Sequence, residues 1–403
     1  MVGTEHLFSR YVEAVYPSED FLEKRLAEAK KLTVYYGIDP TSPLIHLGHS
    51  VPLRLLGSLQ KLGHKVILVF GDFTGMIGDP SGRDVQRKPL TKGQILENAS
   101  TYTKQLQKIL NFAENPPEIK YNSEWWGRMK LDKFFEIASH FTLAQLSERD
   151  LFQERRKKSQ PVALSEFLYP ILQGYDSVAL DVDAEVGASD QTFNMLVGRE
   201  MLKIFKGKEK LVITCPLLEG TDGRKMSKSL GNSIDILAHP ADMFGKLMSI
   251  KDGLITKYLT LVTEVDQRYI DEVSSQLKTG RVNPMDVKKK LAYEVVKIYH
   301  DEKTAKMAQT EFERVFQKGE RTSDIKTVRQ SRSILPISYA SLATVSGATT
   351  SISEAIRLAK NRGLKFNGEI IPEPRQQITE IKEGETIVDV GKRRSVKIIW
   401  DKS

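Results

Sequence analysis

Thr33-Val-Tyr-Tyr-Gly-Ile38, then Ser50 through Leu62, then Lys65-Val-Ile-Leu-Val-Phe-Gly71, is the stretch that decides the fold. Its first and third pieces are short apolar runs, the pattern of strands buried on both faces. Between them, apolar residues at 51, 55, 56, 59 and 62 recur at helical spacing. Leu211-Val-Ile-Thr214 reads as another buried strand. Strands alternating with helices predict an α/β fold, a parallel sheet wrapped by helices. Ligands of such sheets bind beyond the carboxyl ends of the strands, so the functional residues should follow strands.

Working outward, residues 236–320 read as helical, being rich in Lys, Glu, Leu and Ala. One helix start is clear: Asn283 as N-cap, Pro284 at the first position and Asp286 in the first turn, with Lys288, Lys289 and Lys290 behind them. Polar residues 319–333 read as a linker. The remainder, 334–403, reads as a small α+β unit. Ser351-Ile-Ser-Glu354 is a capping box and Gly363 suits the helix exit. Arg357, Lys360, Arg362 and Lys365 make the helix and its exit basic. Strand-like pieces follow at Leu364-Lys-Phe-Asn367, Glu385-Thr-Ile-Val-Asp-Val390 and Ser395-Val-Lys-Ile-Ile-Trp400, with Lys392-Arg393-Arg394 in a turn.

The chain has 403 residues, room for about two to three domains, and it can bury a sizeable core without staples. At 40% hydrophobic and 28% charged residues it has the balance of a soluble globular protein. A net charge of +8 suits a polyanionic partner such as RNA. Its one cysteine, Cys215, excludes an internal disulfide and a Cys-rich zinc site. Placed in an apolar run, Cys215 reads as a buried strand residue. No signal peptide and no bilayer-spanning run is visible. The expectation is a cytoplasmic protein without a membrane partner.

Two short motifs carry chemistry. His46-Leu-Gly-His49 follows a strand and opens a helix, whose N-terminus suits phosphate. Its imidazoles can donate hydrogen bonds to phosphate oxygens, and Gly48 lets an adenine ring or sugar approach the backbone. Lys225-Met-Ser-Lys-Ser229 lies between glycines 220, 223 and 231, which make a mobile loop plausible. Lys225 and Lys228 can both face a pyrophosphate, where point charges meet the charge that develops during phosphoryl displacement. Residues 169, 173 and 176 lie at i, i+4 and i+7, so one helix can present Tyr169, Gln173 and Asp176 on one face.

In this order and on this α/β pattern, the two motifs resemble those of the class I aminoacyl-tRNA synthetases, with Leu47 in place of the commoner isoleucine. Within that class the chain resembles the bacterial tyrosyl-tRNA synthetases over nearly its whole length. The stretches that carry the likeness are Tyr35-Tyr-Gly-Ile-Asp-Pro-Thr41, Thr74-Gly-Met-Ile-Gly-Asp-Pro-Ser-Gly82, Tyr169-Pro-Ile-Leu-Gln-Gly-Tyr-Asp176 and Ser189-Asp-Gln191. The resemblance implies a Rossmann-like, doubly wound catalytic domain over 1–219 that contains a dimer-forming insertion. It implies a mobile loop and linker over 220–240, a helical anticodon-binding domain over 241–320, and a ribosomal-protein-type RNA-binding domain over 334–403. The implied reaction activates L-tyrosine with ATP and Mg2+, expels pyrophosphate and transfers tyrosyl to tRNA(Tyr), in a homodimer.

Residue roles follow from the same resemblance. Tyr35 and Asp176 would bond the substrate's phenol, and Tyr169, Gln173 and Asp79 its ammonium. Gly37, Asp39, Thr41, Gly48, Asp190, Gln191, Lys228 and Ser229 would line the nucleotide. His46, His49, Lys225, Lys228, Arg83 and Arg87 would act on the phosphates, the two arginines doubling as a charged surface loop in the plainer reading. Tyr36, Pro52 and Thr192-Phe193 depart from the family pattern and mark a divergent branch. The rival readings are a tryptophan-specific enzyme of the same class, a synthetase-like RNA-binding or splicing protein, and a nucleotidylyltransferase. Tyr35 with Asp176 disfavours the first, because indole offers no hydroxyl there. Intact motifs disfavour the second, and the C-terminal unit the third.

Overall fold

The computed structural model describes residues 10–28, 30–81, 90–316, 326–381, 384–391 and 394–401. They fall into two compact units that meet in sequence between Glu302 and Lys303.

The first unit is built on six strands: β1 (Ala14–Tyr16), β2 (Thr33–Ile38), β3 (Lys65–Phe70), β4 (Glu118–Tyr121), β5 (Ala184–Ala188) and β6 (Leu211–Cys215). Their spatial order is β1-β6-β5-β2-β3-β4. All neighbours are parallel except β1, which runs antiparallel along β6. From β2 the chain winds outward through β3 to β4, then returns to β5 and winds the other way to β6. This reversal places the topological switch between β2 and β5, where Tyr35 lies in register with Glu185. A crevice beyond the carboxyl ends of these two strands is the expected binding place.

The apolar runs read from sequence are strands: Val66–Phe70 and Leu211–Cys215 are wholly buried, and Cys215 is a free, buried thiol. The helix expected from Ser50 starts earlier, at Leu47, and ends at Lys61. The Leu164–Leu180 and Thr192–Lys206 helices cross closely, because a Cβ on Gly174 would stand 3.2 Å from the Gly198 Cα. Only glycine at both positions allows that approach, which seats both helices at the switch point.

Helices Pro240–Met248, Ile255–Val262, Gln267–Lys278 and Pro284–Tyr299 complete this unit. The start read at Asn283 is present: its side chain accepts the Met285 N–H at 3.0 Å, and Pro284 opens the helix. No helix among the described residues is long and apolar enough to cross a membrane.

The second unit begins within the Glu302–Phe316 helix and carries β7 (Lys326–Gln330), β8 (Ile337–Ser338), β9 (Leu364–Phe366), β10 (Glu369–Ile370), β11 (Gln377–Ile378), β12 (Glu385–Val390) and β13 (Arg394–Trp400). Five of them form a sheet ordered β10-β9-β12-β13-β7, and β11 pairs with β8. Leu364, Val388, Ile398 and Trp400 join Leu342, Ala355 and Ala359 from two helices in one apolar core.

Three local readings change here. Within the expected linker, Lys326–Gln330 is an edge strand parallel to β13; only Val328 and Gln330 are half-buried, so it lacks an apolar signal. Residues 317–325 lie outside the described set. The left-handed residue at the exit of the Ile352–Lys360 helix is Arg362, with φ +55°, not Gly363. Arg394 opens β13 rather than sitting in a turn, and Lys392 and Arg393 lie outside the described residues. Ser351 does cap its helix, accepting the Glu354 N–H at 3.1 Å, while Glu354 reaches back to the Thr350 N–H.

Candidate active site

A cavity of about 780 Å³ opens at the carboxyl ends of β2 and β5, and Gly37 and Gly187 are in its wall. That volume suits a ligand of drug-like size. A side chain at Gly37 would meet nothing within 4 Å, so glycine there leaves space between sheet and helix for a ligand.

One end is polar and deep. Tyr169, Gln173 and Asp176 all line it from the Leu164–Leu180 helix, as the i, i+4, i+7 spacing requires. Asp176 is buried and accepts the Trp125 Nε1–H at 2.8 Å. Burial raises its pKa well above the usual carboxylate range, against the opposing hydrogen bonds from Trp125 and Asn122. The Tyr169 hydroxyl donates to Asp39 at 2.7 Å, and Thr74 donates to the other Asp39 oxygen, also at 2.7 Å. A Cβ on Gly71 would stand 1.9 Å from that second oxygen, so only glycine fits beside it. Asp79 accepts from Gln191 Nε2 at 2.8 Å and from Ser81, and buried Arg149 stands behind it at 3.5 Å.

Tyr35 does not line the cavity. It is wholly buried beneath it, and its hydroxyl lies 3.0 Å from the Ser177 Oγ. Tyr35 and Gly37 face the same side of β2, and Gly37, nearer the carboxyl end, stands in the cavity wall while Tyr35 lies two residues deeper along the strand. Tyr36 instead reaches the cavity from the opposite face. Asp39, expected beside a nucleotide, is tied to Tyr169 at the polar end.

The other end carries the two motifs. His46 and His49 flank the first turn of the Leu47–Lys61 helix with rings stacked at 3.8 Å. Burial, aided by Lys228 and Lys225, lowers the His49 pKa to about 4 and holds His46 well below its usual value. Both are therefore neutral near pH 7. The His46 N–H donates to His49 Nδ1 at 3.4 Å, which leaves the proton on Nε2 as a donor. His46 Nδ1 has no partner. A Cβ on Gly48 would lie 3.0 Å from that atom, so glycine there makes room for the imidazole.

Lys225 and Lys228 line the same end. Lys225 pairs with Asp190. Lys228 donates to Ser42 Oγ at 2.7 Å, stands 3.7 Å from Asp235, and has its pKa lowered mainly by burial. Asn232 braces the loop between them, accepting the Ser227 N–H at 2.8 Å and donating to Asp222 at 2.8 Å and to the Lys225 carbonyl at 3.1 Å. Thr41 and Gly48 also line the cavity. Ser229 falls in the short Lys228–Leu230 turn of helix. Arg83 and Arg87 lie outside the described residues. The arrangement can hold a small cationic, hydroxyl-bearing molecule at one end and a polyphosphate at the other.

Residues 27–317 match the model of the tRNA synthetases class I (W and Y) family. The chain is 44% identical to a tyrosine–tRNA ligase of Thermotoga maritima, over 94% of each chain. This chain belongs to the class I tRNA synthetases, in their tyrosine–tRNA ligase branch. A Haemophilus influenzae member of that branch is 42% identical over 98% of this chain and 96% of its own. A solved member, the Archaeoglobus fulgidus tyrosyl-tRNA synthetase complexed with L-tyrosine, is 25% identical with a TM-score of 0.60, over 76% of this chain and 99% of its own. The Rossmann-like fold expected from the sequence is that of the branch.

Sequence reading missed Asn122, Trp125, Ser177, Glu185, Asn194, Lys210 and Asn232. Only Glu185 carried a signal, a carboxylate interrupting an apolar strand.

Proposed function

We propose that the protein is a tyrosine–tRNA ligase that activates L-tyrosine with ATP and passes the tyrosyl group to tRNA(Tyr) from the cytoplasm. The observation that carries this reading is one buried aspartate, Asp176, set at the closed end of a cavity whose far end holds a neutral histidine pair and two lysines. A phenolic O–H donates to Asp176. The ammonium sits among Tyr169, Gln173 and Asp79. Tyr35 supports this end from below, its hydroxyl 3.0 Å from the Ser177 Oγ.

In the first step the tyrosine carboxylate attacks the α-phosphorus of ATP, forming a C–O–P bond as the bond to pyrophosphate breaks. Residues supply no covalent partner; they position and stabilise charge. His46 and His49 donate from Nε2 toward the phosphates, and Lys225 and Lys228 neutralise the departing pyrophosphate, joined by Arg83 and Arg87. Gly37, Thr41, Gly48, Asp190, Gln191 and Ser229 surround the nucleotide, and Asp39 holds Tyr169. Magnesium arrives on the phosphates of ATP. In the second step the terminal ribose hydroxyl of the tRNA displaces AMP.

The test is pyrophosphate exchange into ATP across a panel of amino acids. Exchange with tyrosine alone is the expected result, and its absence would sink the reading. Residues 241–320 and 334–403 hold the tRNA, chiefly through phosphates. Removing residues 334–403 is expected to abolish charging and spare adenylate formation; equal loss of both would refute separate roles. Exposed Leu131, Phe135, Leu143 and Leu164, all between β4 and β5 in sequence, support a homodimer. Sedimentation should find two copies, and a monomer after Phe135→Glu.

A further inference from the structure

A chain of buried polar side chains runs beneath the amino-acid end of the cavity. The Lys210 ammonium pairs with the Glu185 carboxylate, and both are buried. The other Glu185 oxygen accepts from Gln173 Nε2 at 3.1 Å. Asn194, also buried, donates through its one amide nitrogen to the Gln173 oxygen at 2.8 Å and to the Gln191 oxygen at 3.2 Å. Gln191 Nε2 then donates to Asp79 at 2.8 Å. Ser177 completes the floor, receiving Lys210 at 2.8 Å and meeting Tyr35 at 3.0 Å.

The two ends of this chain are carboxylates, which only accept. Each glutamine must therefore point its NH₂ group outward to Glu185 or Asp79. Each must then turn its oxygen inward, where Asn194 offers the two donors. This assignment gives each of the four bonds a donor and an acceptor, leaving only the Asn194 Oδ1 without a partner. An ammonium entering the cavity meets oxygens with a spare lone pair only while that orientation holds. Reversing either amide would aim N–H donors at a cation.

Resting on the tyrosine reading above, we infer that Asn194, with the Glu185–Lys210 pair, fixes the amide orientation of Gln173 and Gln191, and so selects ligands that carry an α-ammonium group. Asn194 is buried and is not among the residues that line the cavity. It is a positioning residue, as are Glu185 and Lys210.

The test compares binding of L-tyrosine with that of 3-(4-hydroxyphenyl)propionate, the same molecule without its amino group, by titration calorimetry. The probe variant is Asn194→Asp, which keeps the shape and replaces the two donors with acceptors. Tyrosine binding should weaken by about 30-fold, the scale of a charge-assisted hydrogen bond, while affinity for the propionate stays within about twofold. A structural role alone would weaken both equally, and that result would overturn the inference. Should Asn194→Asp fail to fold, Glu185→Gln with Lys210→Met removes both buried charges and the constraint on Gln173. The same selective loss is expected there, and unchanged tyrosine binding would equally overturn the inference. Failure of the parent reading is separable: the wild-type protein would then show no preference for tyrosine over other amino acids.

Discussion

Replacing His49 or Lys228 by alanine is expected to slow tyrosyl-adenylate formation by about 10²–10³-fold, the usual effect of removing one preorganised donor at developing charge. Tyrosine affinity should change by less than about twofold. The separation follows from their partners, His46 for His49 and Ser42 with Asp235 for Lys228. Both side chains stand at the motif end, away from Asp176 and Gln173. His49 acts as a neutral donor because burial has lowered its pKa to about 4. His49→Gln, which keeps a donor, should therefore recover part of the rate, whereas a mechanism needing imidazolium would not be rescued. Lys228→Arg keeps the charge but must fit beside Ser42 and Asp235, so only partial recovery is expected. Single-turnover adenylate formation is the measurement, and unchanged rates in both alanine variants would sink the assignment.

Asp176→Asn is expected to lower kcat/KM for tyrosine by about 10–150-fold, the loss of a hydrogen bond to a charged acceptor. Rejection of phenylalanine should narrow with it, because an intact carboxylate left unpaired by phenylalanine is what makes that ligand unfavourable. The same substitution is expected to raise the Tm at neutral pH. Burial holds the Asp176 carboxyl well above the usual range. A carboxyl whose folded pKa exceeds its unfolded value destabilises the fold as pH rises above about 3.9, and imposes nothing below it. The gain in Tm should therefore be present at pH 8 and vanish near pH 3. An aspartate tuned for recognition rather than stability behaves this way; a variant less stable at both values would show that the Trp125–Asp176 bond is chiefly structural.

Much of the fold was legible because β2, β3 and β6 are uninterrupted apolar runs. β5 was not, since Glu185 breaks its run, and β7 was not, since an edge strand needs little apolar surface. The catalytic motifs and the helical face of Tyr169, Gln173 and Asp176 were legible because spacing alone fixes their geometry. The buried supports were not. Trp125 and Lys210 lie far in sequence from the groups they hold, Asn194 lies 21 residues from Gln173 though only three from Gln191, and each is ordinary in its own neighbourhood. Lys210 in particular reads as the polar edge of a strand, and only the register of β5 beside β6 reveals its partner. The direction of Tyr35 likewise depends on pleat and packing, which the resemblance alone does not supply.

The pairing of Tyr35 with Glu185 has a consequence for how the molecule comes into being. As the chain leaves the ribosome, β2, β3 and the histidine motif emerge long before β5, β6 and the lysine loop. Until the later half docks, the emerging chain holds only one wall of its cavity, and Tyr35 stands without Ser177 and Glu185 beside it. Competence to bind tyrosine therefore arrives late and all at once, as a property of the closed sheet rather than of either half.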